Sequence, residues 1–228
     1  MKLGTFALAV TLLLASSFCR ATSYDATASF STTANPNGVW SYGYSRAGEP
    51  SYSFASFTDV GVSVLGPYWH RASYGVFPLV SKNQTGGALE NILPGQLYLH
   101  PGPSPFQDLA ILRFTAPAPD TYFVSGQFYA GAPGEMSGAV YMNGSLLQSF
   151  PVTTDGSMFS FAPVTLNLGQ TLDFVVGNNG NYLFGGTPIS VVISPIPEPS
   201  SAILILLGAA AIAVRRGLAV ASVRQSAA

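Results

Sequence analysis

Between residues 22 and 194 the chain never sustains a helical period. Its apolar residues come in short runs, alternating with small or polar ones and closed by Gly, Pro, Asn or Asp. That pattern restricts the segment to sheets, because strands present successive side chains to opposite faces whereas helices repeat every ~3.6 residues. The sharpest instance surrounds Asn143-Gly144. Residues 139–142 and 145–150 read as strands on either side of it, and Asn-Gly accepts the positive φ angles that a type I′ hairpin turn requires.

The same reading extends along the chain. Val39 to Tyr44 alternates large and small, and residues 52–57, 60–65, 68–70 and 74–80 read as further short strands. Residues 97–100, 108–115, 121–129, 159–168, 171–176 and 189–193 follow, with a tight turn at Gly169-Gln170. In 121–129, Tyr122, Val124 and Phe128 share one face. About ten to twelve short strands with frequent turns predict an all-β fold, an antiparallel β-sandwich or jelly roll.

The two ends read differently. Lys2 precedes an apolar run over 3–15, interrupted only by Gly4, Thr5 and Thr11, and small residues lead to Ala21. This is the layout of a secretory signal peptide over 1–21, cut by signal peptidase, and the run is short of the ~20 residues that span a bilayer. Phe18 stands where lipidation of Cys19 would need a small residue, which argues against a lipoprotein.

At the other end, 195–201 is a Pro-rich spacer that suits neither helix nor sheet. Residues 202–214 carry no charge and no polar face, with Gly208, Ala209, Ala210 and Ala211 crowding the second half. Small residues favour close packing against another membrane helix. Arg215 and Arg216 follow at once and open a basic tail over 215–228. Basic residues beside an apolar segment stay cytoplasmic, which would leave residues 22–194 outside the cell.

Pro197-Glu198-Pro199, an apolar helix and the Arg215-Arg216 pair, in that order, resemble the PEP-CTERM sorting signal of exopolysaccharide-producing bacteria. The resemblance implies recognition by exosortase, a membrane transpeptidase, with cleavage near Pro197-Glu198-Pro199. Members usually end just after the basic pair, whereas this chain continues over 217–228. An uncut tail would instead be a lasting transmembrane anchor.

A second resemblance rests on His100-Pro101-Gly102, residues 112–117, residues 121–126, Asn143-Gly144 and residues 169–177. They are similar to the β-sandwich ectodomain common among PEP-CTERM proteins, whose layout is that of carbohydrate-binding modules.

Composition narrows the chemistry. The chain's one cysteine, Cys19, lies in the signal, so the exported segment has neither disulfide nor thiol chemistry. Residues 22–194 hold four basic residues (Arg46, Arg71, Lys82, Arg113) against nine acidic ones, a net charge of −5 with no basic stripe. Nucleic acid is therefore not an expected partner.

His70 and His100 are the only histidines, and no Gly-x-Ser-x-Gly elbow supports nucleophilic hydrolysis. His70 is expected on a surface rim, and His100 at a strand end with a structural hydrogen bond. Glycoside hydrolysis needs two facing carboxylates, but no acid is marked out by context. Glu90, Asp108 and Asp173 near strand ends read as solvated or capping. No transition-metal site or cofactor is expected. Asp155-Gly156 and Asn178-Asn179-Gly180-Asn181 could donate oxygens to calcium, although turn formation is the simpler reading.

Exposed aromatics could stack on sugar rings. Trp40, Trp69 and Tyr182, together with Tyr42 and Tyr44, are the candidates, and only one or two are expected to reach solvent. The function expected is non-catalytic: an exported envelope or matrix protein, structural or adhesive, associated with exopolysaccharide. The alternative is a secreted carbohydrate-binding module or glycoside-active enzyme with the same tail.

Overall fold

The Asn143-Gly144 turn forms as expected. Asn143 and Gly144 take φ of 51° and 82° and join β10 (Met136–Met142) to β11 (Ser145–Val152). This computed structural model describes residues 22–45, 52–71, 75–103, 108–131, 136–152 and 156–196. The signal segment with Cys19, the Pro197-Glu198-Pro199 motif, the apolar run 202–214 and Arg215-Arg216 lie outside the described residues. Among the described residues no helix is long and apolar enough to cross a membrane.

The remaining strands are β1 (Tyr24–Asp25), β2 (Trp40–Ser45), β3 (Ala55–Ser56), β4 (Asp59–Ser63), β5 (Gly66–His70), β6 (Leu79–Lys82) and β7 (Leu97–His100). Then come β8 (Leu109–Thr115), β9 (Asp120–Phe128), β12 (Ser157–Leu166), β13 (Thr171–Gly177) and β14 (Thr187–Pro195). They form two sheets in which every pairing is antiparallel. One is an eight-stranded sheet ordered β12-β9-β14-β7-β6-β5-β4, with β1 also on β14; the other is six-stranded, ordered β11-β10-β13-β8-β2-β3.

The two sheets close on one core. Tyr122, Val124, Leu97, Val80 and Trp69 from the first meet Phe114, Leu112, Phe174, Trp40 and Tyr42 from the second. Aromatic rings bridge the layers: Phe114 meets Tyr122 edge-on at 5.6 Å, and Phe159 stacks on Phe174 at 5.6 Å. Such pairs contribute about 0.5–1.5 kcal/mol beyond their buried area. The fold is an all-β antiparallel sandwich.

Several elements differ from the sequence reading. The strand expected over 60–65 ends at Ser63, because Val64 and Leu65 make the turn to β5. Within 74–80 pairing starts only at Leu79, since Pro78 has no N–H to give a ladder. Gly169-Gln170 is a turn, but it carries the chain from one sheet to the other, because β12 pairs with β9 while β13 pairs with β8 and β10.

Two irregular segments cover sheet faces. Residues 83–96 fold over the outer side of β5-β6-β7, where Ile92 joins Tyr68, Leu79 and Tyr98 in a small second core. Buried Asn83 holds that loop shut, its Nδ2 donating to the carbonyls of Gly87 and Ile92 at 2.9 and 2.8 Å. On the opposite sheet, residues 52–54 lie over the outer face. Tyr52 stacks on Tyr141 at 4.0 Å, and Phe54 lies under the Arg113 guanidinium at 3.8 Å. The strand expected over 52–57 is reduced to Ala55–Ser56 for this reason.

Candidate functional site

Three aromatic side chains, Phe77, His100 and Tyr182, gather where β7 ends. Pro101 stops the strand after His100, and the chain turns beside the segment before β6 and the 178–186 loop before β14. His100 stacks on Phe77 with centroids 3.9 Å apart. Tyr182 meets both edge-on, at 5.9 Å from Phe77 and 6.2 Å from His100. Tyr182 is half-buried, and Leu183 and Phe184 beside it are exposed. The result is an aromatic cluster whose outer member has an edge in solvent.

His100 serves this cluster structurally, as the sequence suggested. Its Nδ1 lies 2.9 Å from the Pro101 carbonyl oxygen. A carbonyl can only accept, so Nδ1 carries the proton. Burial lowers the imidazole pKa to about 4, opposed by that hydrogen bond, and the ring is neutral at pH 7. His70 sits on β5 with Nδ1 3.0 Å from the Gly75 carbonyl oxygen and its ring against Tyr68.

The 178–186 loop is locked by its own side chains. Asn178 Nδ2 donates to the Gly102 carbonyl at 2.9 Å, and its Oδ1 accepts from Gly180 N at 3.0 Å. Asn181 Oδ1 accepts from Leu183 N at 3.0 Å. Asn179 and Gly180 take φ of 42° and 94°, the left-handed values that Asn and Gly tolerate. These residues make the turn that the simpler reading assigned to them. Among the described residues no group of three His, Cys, Asp or Glu could hold a metal ion; Asp155 lies outside them.

The two tryptophans must be corrected as sugar platforms. Trp40 is 1% exposed and Trp69 6% exposed. Trp40 packs on Phe114, and Trp69 stacks on Tyr42 while its indole N–H donates to the Ser31 carbonyl at 2.7 Å. A ring with no free face cannot meet a sugar. Tyr42 is likewise buried, and Tyr44 is covered by Phe57 and the Arg71 guanidinium. Of the five, Tyr44 and Tyr182 are half-buried, and Tyr44 has Phe57 and Arg71 against its ring.

Asp108 and Asp173 are not solvated strand ends either. Asp108 is buried with Arg71 Nη1 at 2.9 Å. Asp173 is fully buried on β13 and accepts two bonds from Arg113. Tyr52 Oη donates to Asp173 Oδ2 at 3.0 Å, and burial followed by the Asp173 charge pushes the Tyr52 phenol far above its usual value. Glu90 alone is exposed, at φ 52° in a turn. The sequence offered one overlooked signal: Arg113 and Asp173 are single charges inside otherwise apolar strands, and a charge in such a place needs a partner.

The sequence matches no family model and no curated protein. Among solved structures, a family 35 carbohydrate-binding module from Clostridium thermocellum is similar at 13% identity, covering 42% of this chain and 76% of that one, with a TM-score of 0.30. The family 51 carbohydrate-binding module from Clostridium perfringens, solved with methyl-galactose, is similar at 15% identity over 61% of this chain and 94% of that one, TM-score 0.34. Pika GITRL gives 16% identity over 43% and 93%, TM-score 0.28. These superpositions are too slight to carry an argument, and the sandwich assignment stands on the strand pairing itself.

Proposed function

We propose that this chain is a non-catalytic, carbohydrate-contacting protein of the bacterial envelope or extracellular matrix, exported through its N-terminal signal and sorted by its PEP-CTERM tail. The observation that supports sugar contact is the Phe77–His100–Tyr182 cluster, with Tyr182 at its solvent edge and Leu183 and Phe184 exposed beside it. Tyr182 stacks on a sugar ring, while buried His100 and half-buried Phe77 behind it hold the phenol in place. The loop is closed by Asn178 and Asn181, so binding would require little ordering of the chain.

Binding rather than hydrolysis is supported by two of the carboxylates. The two buried acids among the described residues, Asp108 and Asp173, each face an arginine, whereas glycoside hydrolysis requires two carboxylates facing each other across a cleft. The surface location is supported by the ordered elements of the tail, Pro197-Glu198-Pro199, the apolar run and Arg215-Arg216. Exosortase and signal peptidase are the processing partners on this reading, and exopolysaccharide is the ligand.

The test is retention of the protein on exopolysaccharide purified from its host. Binding that Tyr182→Ala abolishes, with the fold intact by circular dichroism, supports the reading. Undiminished retention of Tyr182→Ala removes the site. Replacing Pro197-Glu198-Pro199 with alanines should shift the protein's location, and unchanged location and mature mass would remove the sorting reading.

A further inference from the structure

Four strands end the two sheets: β12 and β4 in one, β11 and β3 in the other. An edge strand offers unpaired N–H and C=O groups to any other strand, and proteins guard such edges with proline, charge, bulges or brevity. Three of these four are guarded. β12 contains Pro163 within a register shift between Phe161 and Val164, β11 contains Pro151, and β3 has two residues. β4 is the least guarded: among the described residues its middle, Val60-Gly61-Val62, holds neither proline nor charge and pairs with β5 without a break, the strand's one charge being Asp59 at its start.

The free backbone groups can be assigned from β5. Val62 lies opposite Pro67, which has no N–H to exchange. Opposed residues in an antiparallel ladder alternate between hydrogen-bonded and non-bonded pairs. Val62, and by alternation Val60, therefore turn their N–H and C=O outward to the open edge. Their side chains are apolar yet 80% and 46% exposed.

We infer that β4 is a homotypic interface, in which two copies of the chain pair antiparallel about a two-fold axis through Gly61. The sequence Val60-Gly61-Val62 reads the same in both directions, so the axis sets Val60 opposite Val62 of the other copy and Gly61 opposite Gly61. Both Val60–Val62 pairs exchange backbone hydrogen bonds, since these are the residues with outward groups. The strand's one charge, Asp59, falls opposite Ser63, so no like charges face each other and a hydroxyl meets the carboxylate. On the other face the Tyr68 ring already lies over Gly61, where a β-carbon would strike it; glycine keeps the close central pair uncrowded. An isologous contact of this kind closes at two copies. The inference depends on neither the sugar reading nor the sorting tail.

The test uses the full chain in detergent with Cys19→Ser, which removes its only cysteine. Reduced Val60→Cys and Val62→Cys proteins are oxidised each alone and, in parallel, after mixing. A hydrogen-bonded pair sets Cα atoms about 5.5 Å apart, within disulfide reach, so the mixture should give crosslinked heteropairs well in excess of either protein alone. Val62→Lys should weaken self-association in sedimentation by at least about tenfold, as a charge on an edge opposes pairing. It should leave the circular dichroism spectrum unchanged, because residue 62 is exposed. Absence of heteropair enrichment overturns the inference, as does a Val62→Lys protein that associates like its parent or a parent that is monomeric throughout.

Discussion

Arg113 on β8 and Asp173 on β13 meet in a two-pronged ion pair, with Nε to Oδ1 at 2.6 Å and Nη2 to Oδ2 at 2.7 Å. They are register partners, and the row continues to Tyr141 on β10 and Ser41 on β2. The segment at Tyr52 and Phe54 closes over them, one side chain bonded to the carboxylate and the other under the guanidinium. The pair is therefore the hub that fixes residues 52–54 to the sheet.

Removing one partner of such a pair strands the other. Asp173→Ala is expected to destabilise the fold by about 3 kcal/mol, measured as a shift in urea midpoint at constant slope. Replacing both Arg113 and Asp173 with apolar residues should cost less than the sum of the single changes. Additive effects would show that the two side chains do not depend on each other.

His100 gives stability a pH dependence of known sign. Its folded pKa, lowered by burial to about 4, lies below the unfolded value of ~6.5. The unfolded chain thus binds the proton first, and stability present above pH ~6.5 is lost as pH falls towards about 4, by up to about 3 kcal/mol. His100→Gln should be less stable at pH 7 yet flatter across that window. Equal slopes in wild type and variant would contradict the assignment.

The hairpin turn isolates a backbone effect. Gly144 sits at φ 82° with nothing within 4 Å of where a β-carbon would stand. Gly144→Val meets no steric neighbour, so its expected cost of about 1–2 kcal/mol comes from the left-handed backbone alone. Thermal unfolding checks it, and an unchanged midpoint would mean that the turn relaxes freely.

Tyr182 and Trp40 should separate binding from folding. Tyr182→Ala is expected to lower polysaccharide affinity by about tenfold or more while the unfolding midpoint barely moves. Trp40→Ala is expected to cost about 3–5 kcal/mol of stability, as truncation of a fully buried aromatic does. If Trp40→Ala instead folded normally and lost only binding, the assignment of the two rings would be reversed.

Much of the architecture was legible from local chemistry. Alternation marked β2 and β9, and Asn143-Gly144 named its own turn, because side-chain period and φ tolerance are properties of a few adjacent residues. His100 before Pro101 also read correctly, since Pro101 has no N–H to carry the ladder on and Gly102-Pro103 follow it directly. The site was less legible. Trp40 and Trp69 looked no different from Tyr182 in sequence, and which aromatics reach solvent depends on what the opposite sheet and the 178–186 loop place over them.

The sequence by itself determined the class: an all-β segment without cysteine, low in charge, between two apolar ends of different design. Only the tertiary structure decided that Asp108 and Asp173 are neutralised by Arg71 and Arg113, that Ile92 covers a second core, and that β4 ends its sheet among the described residues. Strand period reports two faces but not which face meets another layer. Pairing between residues as distant as Tyr52 and Asp173 is settled by packing, where a buried charge must find its counterion and a buried ring its neighbours.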